Sequence, residues 1–357
     1  AKLPAAERAA YVFQNRSDGE AVFTYDAVET VYPSLYNTYD EFLILCAGCL
    51  TGEKDVVVEL EIPGLTQKFT ETYHLTSTVT PFFLKPAAAV ENEDFSNAKD
   101  SQINLTITEK GGELLEAKSF PVHIASANDF QWVSDEFGQV TRDNILCFLA
   151  PQSTAIAELK RNAIDVMREL TNGRMDAFPG YQNVYGAVTG DEYINTYLQA
   201  ASVMIALSDM GVRYLMDPFS IDDAGQHILF PEQVLEQKGG LCIETALTVA
   251  SALQSAGLHT ILLLPKGHAQ VAVETWEGSG KYFIIETTTL PNYRTDAVTY
   301  INGLISGEDL SQLTYEGGLP VWYRSNEIWQ EKIDEYENYW VVDCSDGSLL
   351  GLTPFAR

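Results

Sequence analysis

The sequence predicts an α+β protein with two domains, of which the first is all-β and the second combines helices with strands. The chain has 357 residues, which is long for a single hydrophobic core, so two domains are expected. Apolar residues alternate with polar ones in the first part of the chain, as in half-buried strands. From about residue 150 they recur at the spacing of a helix face. We place the first domain at residues 1–130 and the second at residues 131–357.

The first domain is predicted to be an antiparallel β-sandwich of the immunoglobulin-like kind. Its alternating runs lie at residues 21–25, 42–50, 56–62, 68–75, 80–84 and 103–107. Turn residues such as Pro63-Gly64 and Gly111-Gly112 separate them. Short strands at this spacing, with almost no helical pattern between them, favour a sandwich. No chemistry is predicted in this domain, because His74 and His123 are isolated in the sequence.

Two helices are predicted at the start of the second domain. The apolar face of the first helix consists of Ile156, Leu159, Ala163, Val166, Met167 and Leu170. Ser153 or Thr154 is placed to cap its start, and Gly173 follows its end. The second helix is predicted to begin with a cap at Asp191 and to end at Gly211.

A short helix and a longer apolar helix are predicted next, with two glycines between them. Pro231 suits the first turn of the short helix, which is expected to end at Gly239-Gly240. These glycines are expected to let the chain turn sharply, so that Cys242 lies in the first turn of the next helix. That helix is predicted over residues 243–256 and stops at Gly257.

The charge of the chain argues against two classes of partner. Asp and Glu number 50 against 22 Lys and Arg, which makes a formal net charge of -28. Such a charge repels nucleic-acid phosphates and anionic lipid surfaces, so neither is expected as a partner. It suits cationic substrates such as Lys-rich peptides, although solubility alone also accounts for it.

The sequence contains no predicted membrane span. No stretch of about 18 apolar residues is present in it. The chain begins Ala1-Lys2-Leu3-Pro4 rather than with Met, which a removed signal peptide or a trimmed chain would each explain. The location that we expect is secreted or cell-surface.

The cysteines predict neither a disulfide framework nor a metal site. Five are present, an odd and sparse set for this length. Cys46 and Cys49 form a CxxC pair, but no second cysteine pair or nearby histidine pair completes a zinc site. Their apolar surroundings favour small buried side chains over a redox pair. His227 has no partner at ligand spacing, so no metal and no cofactor are predicted.

The residues that carry chemistry are Cys242, His268 and Glu286. Unpaired backbone N–H groups at a helix N-terminus favour the thiolate form of a cysteine there. His268 follows a turn at residues 265–267 and begins an alternating strand, where an imidazole can pair with the thiolate and later donate a proton. Glu286 interrupts the apolar strand 282–285, and a carboxylate there is costly unless it has a partner such as the imidazole.

Each of these residues also has a simpler interpretation when it is taken alone. Cys242 suits a small core position, and a lone histidine at a strand edge is usually solvated. The loop between the two strands decides between the alternatives. If residues 276–280 form a five-residue hairpin loop, Thr275 pairs with Lys281, and Glu286 lies one diagonal step from His268 on the same face. A two-residue turn would put Glu286 on the opposite face.

Residues 212–290 resemble a bacterial transglutaminase-like domain of the papain-like cysteine enzyme superfamily. The matching segments are residues 212–218, 230–242 (FPEQVLEQKGGLC), 257–261, 267–274 (GHAQVAVE) and 282–288 (YFIIETT), with a further similar segment from 341 to 354. The resemblance implies a papain-like transglutaminase core, with a helical part and an antiparallel sheet. It also implies that Cys242 is the nucleophile, His268 the general base and acid, and Glu286 the orienting acid.

Two positions depart from the family pattern. Glu286 stands where the family usually has Asp, and Leu241 stands where Asp often precedes the nucleophile. For the oxyanion, the backbone N–H of Cys242 is a plausible donor and Gln237 a candidate.

The resemblance implies thiol-dependent acyl transfer on amide bonds of a protein or peptide substrate. Water as the acceptor makes a peptidase or amidase, which is the favoured alternative. An amine as the acceptor makes a crosslinking transglutaminase, because both reactions share the acyl-enzyme step. A catalytically inactive surface-binding protein that retains the fold is the third alternative.

Overall fold

The computed structural model of the protein describes residues 7–8, 21–50, 52–89, 94–132, 142–182, 194–216, 225–265, 267–292, 321–324 and 340–346. Helices and several β-sheets are both present, so the α+β class predicted from the sequence is confirmed at that level. The chain divides into two compact units, of which the first ends at Asp129 and the second begins at Phe130. The long strands of the first unit give way there to the helices of the second.

The first unit is built from two β-sheets. Its strands are β1 (Ala21–Ala27), β2 (Thr30–Val31), β3 (Leu43–Cys49), β4 (Lys54–Glu61), β5 (Phe69–Leu75), β6 (Thr80–Leu84), β7 (Lys99–Glu109) and β8 (Leu114–Ile124). One sheet has the order β1-β3-β6 and the other the order β2-β8-β7-β4-β5. The parallel pair is β2 with β8, and the other neighbouring pairs of these strands are antiparallel.

Strand β8 is the longer of two strands of this unit that the sequence pattern does not predict, the other being the two-residue β2. Most of its side chains are exposed or half-buried, and full burial is confined to Val122 and Ile124 near its end. Its position depends on the backbone ladder with β7, which runs along the length of both strands. A strand held in this way needs no apolar alternation, so hydrophobic periodicity does not detect it.

The candidate CxxC pair of the first unit is buried and reduced. Cys46 and Cys49 on β3 are both free cysteines with about 1% of their surface exposed. Burial raises the pKa of both thiols, which keeps them protonated and unreactive. The prediction of buried strand residues is confirmed.

The helices of the second unit start and end close to where the sequence predicts. They are α1 (Thr154–Leu170), α2 (Ile194–Asp209), α3 (Pro231–Gln237) and α4 (Cys242–Gln254). Ser153 caps α1, since its side chain accepts a hydrogen bond from the backbone N–H of Ile156. The predicted cap of α2 at Asp191 lies outside the described residues. Helix α2 is buried on all sides from Ile194 to Leu207, so it is a central helix rather than an amphipathic one.

The largest sheet of the second unit is antiparallel and has helix α4 against it. The remaining strands are β9 (Asp129–Gln131), β10 (Arg213–Tyr214), β11 (Gly225–His227), β12 (Gly239–Gly240), β13 (Thr260–Leu264), β14 (Gln270–Glu274), β15 (Lys281–Ile285), β16 (Val321–Arg324) and β17 (Trp340–Asp343). Five of them form this sheet in the order β16-β15-β14-β13-β17. Helix α4 packs against β13 and β14, while β10 pairs in parallel with β12 and β9 pairs with β11. The sheet therefore brings strands that follow α4 in sequence back against it.

Candidate active site

Cys242 is the first residue of helix α4, as the sequence predicts. Leu241 before it is extended and forms the N-cap, and the side chain of Cys242 is nearly buried at 6% exposure. Most of the residues from Cys242 to Leu253 are buried, so α4 is a core helix with one end at the candidate site. The first N–H groups of a helix have no partner within it, and they favour negative charge at this end.

The sharp turn before Cys242 does not occur at Gly239-Gly240, and this prediction was wrong. The turn occurs at Lys238, which adopts a left-handed conformation with φ 56°. The two glycines form strand β12 instead, and their role is close packing. A Cβ on Gly240 would lie 3.2 Å from the Cβ of Glu244, and one on Gly239 would lie 3.0 Å from Leu215 Cδ1. The sequence suggests a flexible turn at a glycine pair, but only the packing identifies the need for bare backbone.

A buried carboxylate holds two segments of the chain that precede Cys242. Glu244 is 3% exposed and accepts hydrogen bonds from the backbone N–H of Leu229 at 2.9 Å and of Leu241 at 2.6 Å. Burial raises the pKa of Glu244, while these hydrogen bonds and the charge of His227 oppose the change. The sequence signal that could have found this residue is a glutamate three positions after an N-cap, as in one half of a capping box. The other half of a capping box is an N-cap side chain that accepts a hydrogen bond, and it is absent here because the N-cap is Leu241.

The hairpin of β14 and β15 has the register that the five-residue loop predicts. Val271 lies opposite Ile285, and the backbone N–H of Thr275 donates to Lys281 O at 2.8 Å. His268 lies just before β14, in a turn where its N–H bonds Pro265 O. Its ring Nε2 is 2.8 Å from Glu286 Oε2. The required geometry between this histidine and this acid is therefore confirmed.

The carboxylate of Glu286 is held by four donors. His268 Nε2 and Gln270 Nε2 both lie 2.8 Å from Oε2, while the N–H and hydroxyl of Thr288 bond Oε1 at 3.0 and 2.8 Å. Burial raises the pKa of Glu286, but these hydrogen bonds and the charge of His268 outweigh it and lower the pKa to about 2. The side chain is therefore an anion at any ordinary pH, and it can only accept hydrogen bonds.

His268 connects the acid to the cysteine. Its ring hydrogen-bonds Glu286, and Cys242 lies close enough to raise the pKa of the same ring. Because Nε2 faces the carboxylate, the other ring nitrogen, Nδ1, is the one that serves the thiol. Burial lowers the pKa of His268, but the bonds and charges of these two partners raise it to about 10. The imidazole is therefore protonated at neutral pH, and it can stabilise a thiolate and donate a proton.

Three further residues at this site were not predicted from the sequence. Gln270 and Thr288 hydrogen-bond the carboxylate of Glu286. The sequence contains a signal for Gln270, because residues two positions apart in an extended chain, such as His268 and Gln270, point to the same face. Tyr214 lies on β10 beside Gly240. Burial is the largest cause that raises the pKa of Tyr214, and the charges of Cys242 and Glu286 raise it further. The hydroxyl of Tyr214 is therefore close enough to interact with both residues.

The remaining sequence-predicted features have simpler outcomes. Gln237 is the last residue of α3, and its role at the oxyanion stays a prediction. Residues 217–218 and 347–354 of the segments that carry the family resemblance lie outside the described residues. His74 and His123 each lie at the surface of the first unit, 2.8 Å from a carboxylate of Asp55 or Asp100.

A second histidine on the same sheet is bound by carboxylates on both ring nitrogens. His259 Nδ1 lies 3.2 Å from Glu274 Oε2, and Nε2 lies 2.9 Å from Asp343 Oδ1. Glu274 also accepts from the N–H of Gly280 at 2.8 Å, in the loop between β14 and β15. Both nitrogens of this ring must donate, so His259 is an imidazolium that ties the hairpin loop to β17 and is not available as a base.

Neither a scan against protein-family models nor a search of curated proteins finds a match to this chain. Among the described residues, no group of three or more His, Cys, Asp or Glu side chains is arranged to hold a metal ion. No helix in the described part of the chain is long and apolar enough to cross a membrane.

Proposed function

We propose that the protein catalyses thiol-dependent acyl transfer on amide bonds, as a hydrolase of the peptidase or amidase kind. The observation that carries the proposal is the position of His268, which hydrogen-bonds Glu286 at 2.8 Å and lies close enough to Cys242 for the thiol to raise the pKa of the imidazole. A thiol at a helix N-terminus, a protonated imidazole beside it and an ionised carboxylate behind the imidazole are the parts of an activated nucleophile.

The reaction has two halves, the formation of an acyl-enzyme and its hydrolysis, and each of these groups acts in both. The Cys242 thiolate attacks the amide carbonyl carbon, forming a C–S bond and an oxyanion. His268 gives its proton to the amide nitrogen, and the C–N bond breaks. The amine departs, and a thioester remains on Cys242. Water then attacks the thioester while His268 takes a proton from it, and the thiolate leaves with release of the carboxylic acid. Glu286 stays ionised throughout and holds the imidazole in orientation.

The backbone near Cys242 supports the stabilisation of the oxyanion. As the first residue of α4, Cys242 has an N–H that no carbonyl within the helix accepts. Such a donor next to the nucleophile suits the charge that develops on the carbonyl oxygen in the tetrahedral intermediate. We assign the Cys242 N–H to this role.

The same proposal includes a papain-like transglutaminase core. A nucleophile helix packed on an antiparallel sheet, with the imidazole and acid supplied by consecutive strands, agrees with that core. The glutamate in place of the family's aspartate is accommodated, since its carboxylate reaches His268 Nε2 at 2.8 Å.

For the first unit we propose an immunoglobulin-like β-sandwich. Aromatic contacts between its two sheets support face-to-face packing: the rings of Tyr25 on β1 and Phe120 on β8 are 5.4 Å apart, and those of Tyr73 on β5 and Phe82 on β6 are 4.3 Å apart.

The substrate that we propose is a protein or peptide, and the location that we propose for the enzyme is outside the cell or on its surface. A net charge of -28 favours cationic substrates, including Lys-rich peptides. The same charge would also attract a lysine side chain as an amine acceptor, which is the route to crosslinking.

The first experiment labels the thiols with iodoacetamide at pH 7 and maps the products by peptide mass spectrometry. We expect Cys242 to be alkylated first. Cys147 and Cys344 are internal controls, because burial raises the pKa of each to about 12 and both should stay unlabelled. A folded protein in which Cys242 is no more reactive than these two would overturn the proposal and favour an inactive binding protein.

The second experiment separates the two acceptors. A fluorogenic peptide-amide library is incubated with the protein and with its C242A variant, each with and without a small primary amine. Release of acid that depends on Cys242 supports the hydrolase, and Cys242-dependent incorporation of the amine in preference to water identifies a crosslinking enzyme. Equal release by the wild type and C242A contradicts the role of the thiol.

A further inference from the structure

Two buried threonine hydroxyls connect the helix of Cys242 to the segment of Glu286. Thr245 lies on α4 one turn after Cys242, and Thr287 directly follows Glu286. Their Oγ1 atoms are 2.7 Å apart, and both side chains are fully buried. The contact joins residues that are 42 positions apart in the chain. It is therefore a tertiary link between the two sides of the candidate site.

The direction of this hydrogen bond follows from counting protons. The hydroxyl of Thr245 also lies 2.9 Å from Leu241 O and 3.1 Å from Cys242 O, and carbonyl oxygens only accept. Thr245 has one hydroxyl proton, which it donates to these carbonyls. Thr287 is therefore the donor to Thr245, and the chain of bonds runs from Thr287 through Thr245 to the first turn of α4.

This link closes a ring of contacts around the site. On one side, Cys242 meets His268, and His268 meets Glu286. On the other side, Glu286 continues into Thr287, whose hydroxyl returns to α4. The second path joins the helix and the acid segment directly, without passing through the imidazole.

We propose that Thr245 and Thr287 are a positioning pair that sets the separation between Cys242 and Glu286, so that His268 is held in reach of both. Neither hydroxyl touches the substrate in this role. The inference rests on the proposed function for its catalytic consequence, whereas its geometric content concerns the position of His268 and can be measured without turnover.

The chain offers a matched control for the loss of this bond. Thr248 lies on the same helix, is fully buried, and donates its hydroxyl to Glu244 O at 2.8 Å within α4. T248V thus removes a buried hydroxyl from α4 without touching the link to Thr287. T287V is the test variant, because valine keeps the shape of threonine and leaves Thr245 its carbonyl acceptors.

The experiment follows the pH titration of His268 by NMR and the rate of Cys242 alkylation by iodoacetamide in each variant. In T287V we expect the pKa of His268 to move down toward its ordinary value, and alkylation at pH 7 to slow by about 10- to 100-fold, as small displacements of reacting groups do. T287S restores the hydroxyl and should recover both values, while T248V should match the wild type.

The outcomes separate the positioning role from the proposed function. A titration of His268 in T287V that coincides with that of T248V overturns the positioning pair. An unreactive Cys242 in the wild type, together with a His268 titration that still moves in T287V, removes the proposed function and keeps the pair. If T287V does not fold, T245V deletes the same bond from the other side, and an unchanged His268 titration there overturns the pair equally.

Discussion

Replacing Glu286 by glutamine tests how the site keeps His268 charged. The substitution preserves the size of the side chain and removes the anion that lies 2.8 Å from the imidazole. Although burial raises the pKa of Glu286, its hydrogen bonds and the charge of His268 lower it from 4.5 to about 2. A difference of that size is worth roughly 3 kcal/mol, or more than about 100-fold in an equilibrium.

The same interaction raises the pKa of His268, against the effect of burial, to about 10. Cys242 contributes to that value, so the smaller change at Glu286 is the better measure of this pair alone. In E286Q we therefore expect the pKa of His268 to fall by about 2. In the proposed mechanism the protonated imidazole is the active form in the attack step, so we expect activity in the wild type to be lost only as the pH rises through about 10. In E286Q the loss should come about 2 pH units earlier, so kcat/KM should change little at pH 7 and fall by up to about 100-fold above pH 10.

The assay measures kcat/KM on a fluorogenic peptide amide and Cys242 alkylation from pH 5 to 11. E277Q is the control, because Glu277 carries the same charge at an exposed position in the hairpin loop. We expect E277Q to match the wild type within about twofold, as isolated surface charges contribute little. An alkaline limb in E286Q that coincides with that of the wild type would refute the assigned role of Glu286.

Two further predictions concern stability. G240A introduces a Cβ at 3.2 Å from Glu244, so we expect a loss of about 1–3 kcal/mol in the free energy of unfolding by urea and slower alkylation of Cys242, whereas G111A, with no atom within 4 Å of its Cβ, should change neither. An unchanged unfolding curve for G240A would show that the close packing is not required. At His259, burial lowers the pKa, but Asp343 and Glu274 raise it above its ordinary value. The charged imidazole therefore stabilises the fold fully below about pH 6.5, and this contribution is lost as the pH rises through the raised pKa. The pKa of Asp343 is lowered by its hydrogen bonds despite burial, so its contribution is lost only as the pH falls through that lowered value. Thermal unfolding followed across pH should therefore differ most between wild type and D343N from about pH 4 to about pH 6.5, and equal melting temperatures in that range would contradict the ion cluster.

The local elements of this protein could be predicted from the sequence because their causes lie among neighbouring residues. The start of α4 at Cys242 follows from the end of one helix and the apolar run of the next. The register of the hairpin follows from a five-residue loop, and it brings Glu286 to His268 without any knowledge of the rest of the fold. Strand β8 was missed because its apolar alternation is weak and its partner β7 supplies the order.

Only the tertiary structure decided which segments far apart in the chain contact each other. The approach of α4 to the hairpin gives His268 its second partner at Cys242, and it brings Thr245 to Thr287. Close packing, rather than a turn, explains the glycines before Cys242, since Glu244 occupies the space that a side chain at Gly240 would need. Periodicity and turn chemistry are written in neighbouring residues, whereas such contacts depend on how helices and sheets pack together. The sequence alone thus identified the three candidate residues, whereas the register of the hairpin and the packing of α4 decided that they lie together.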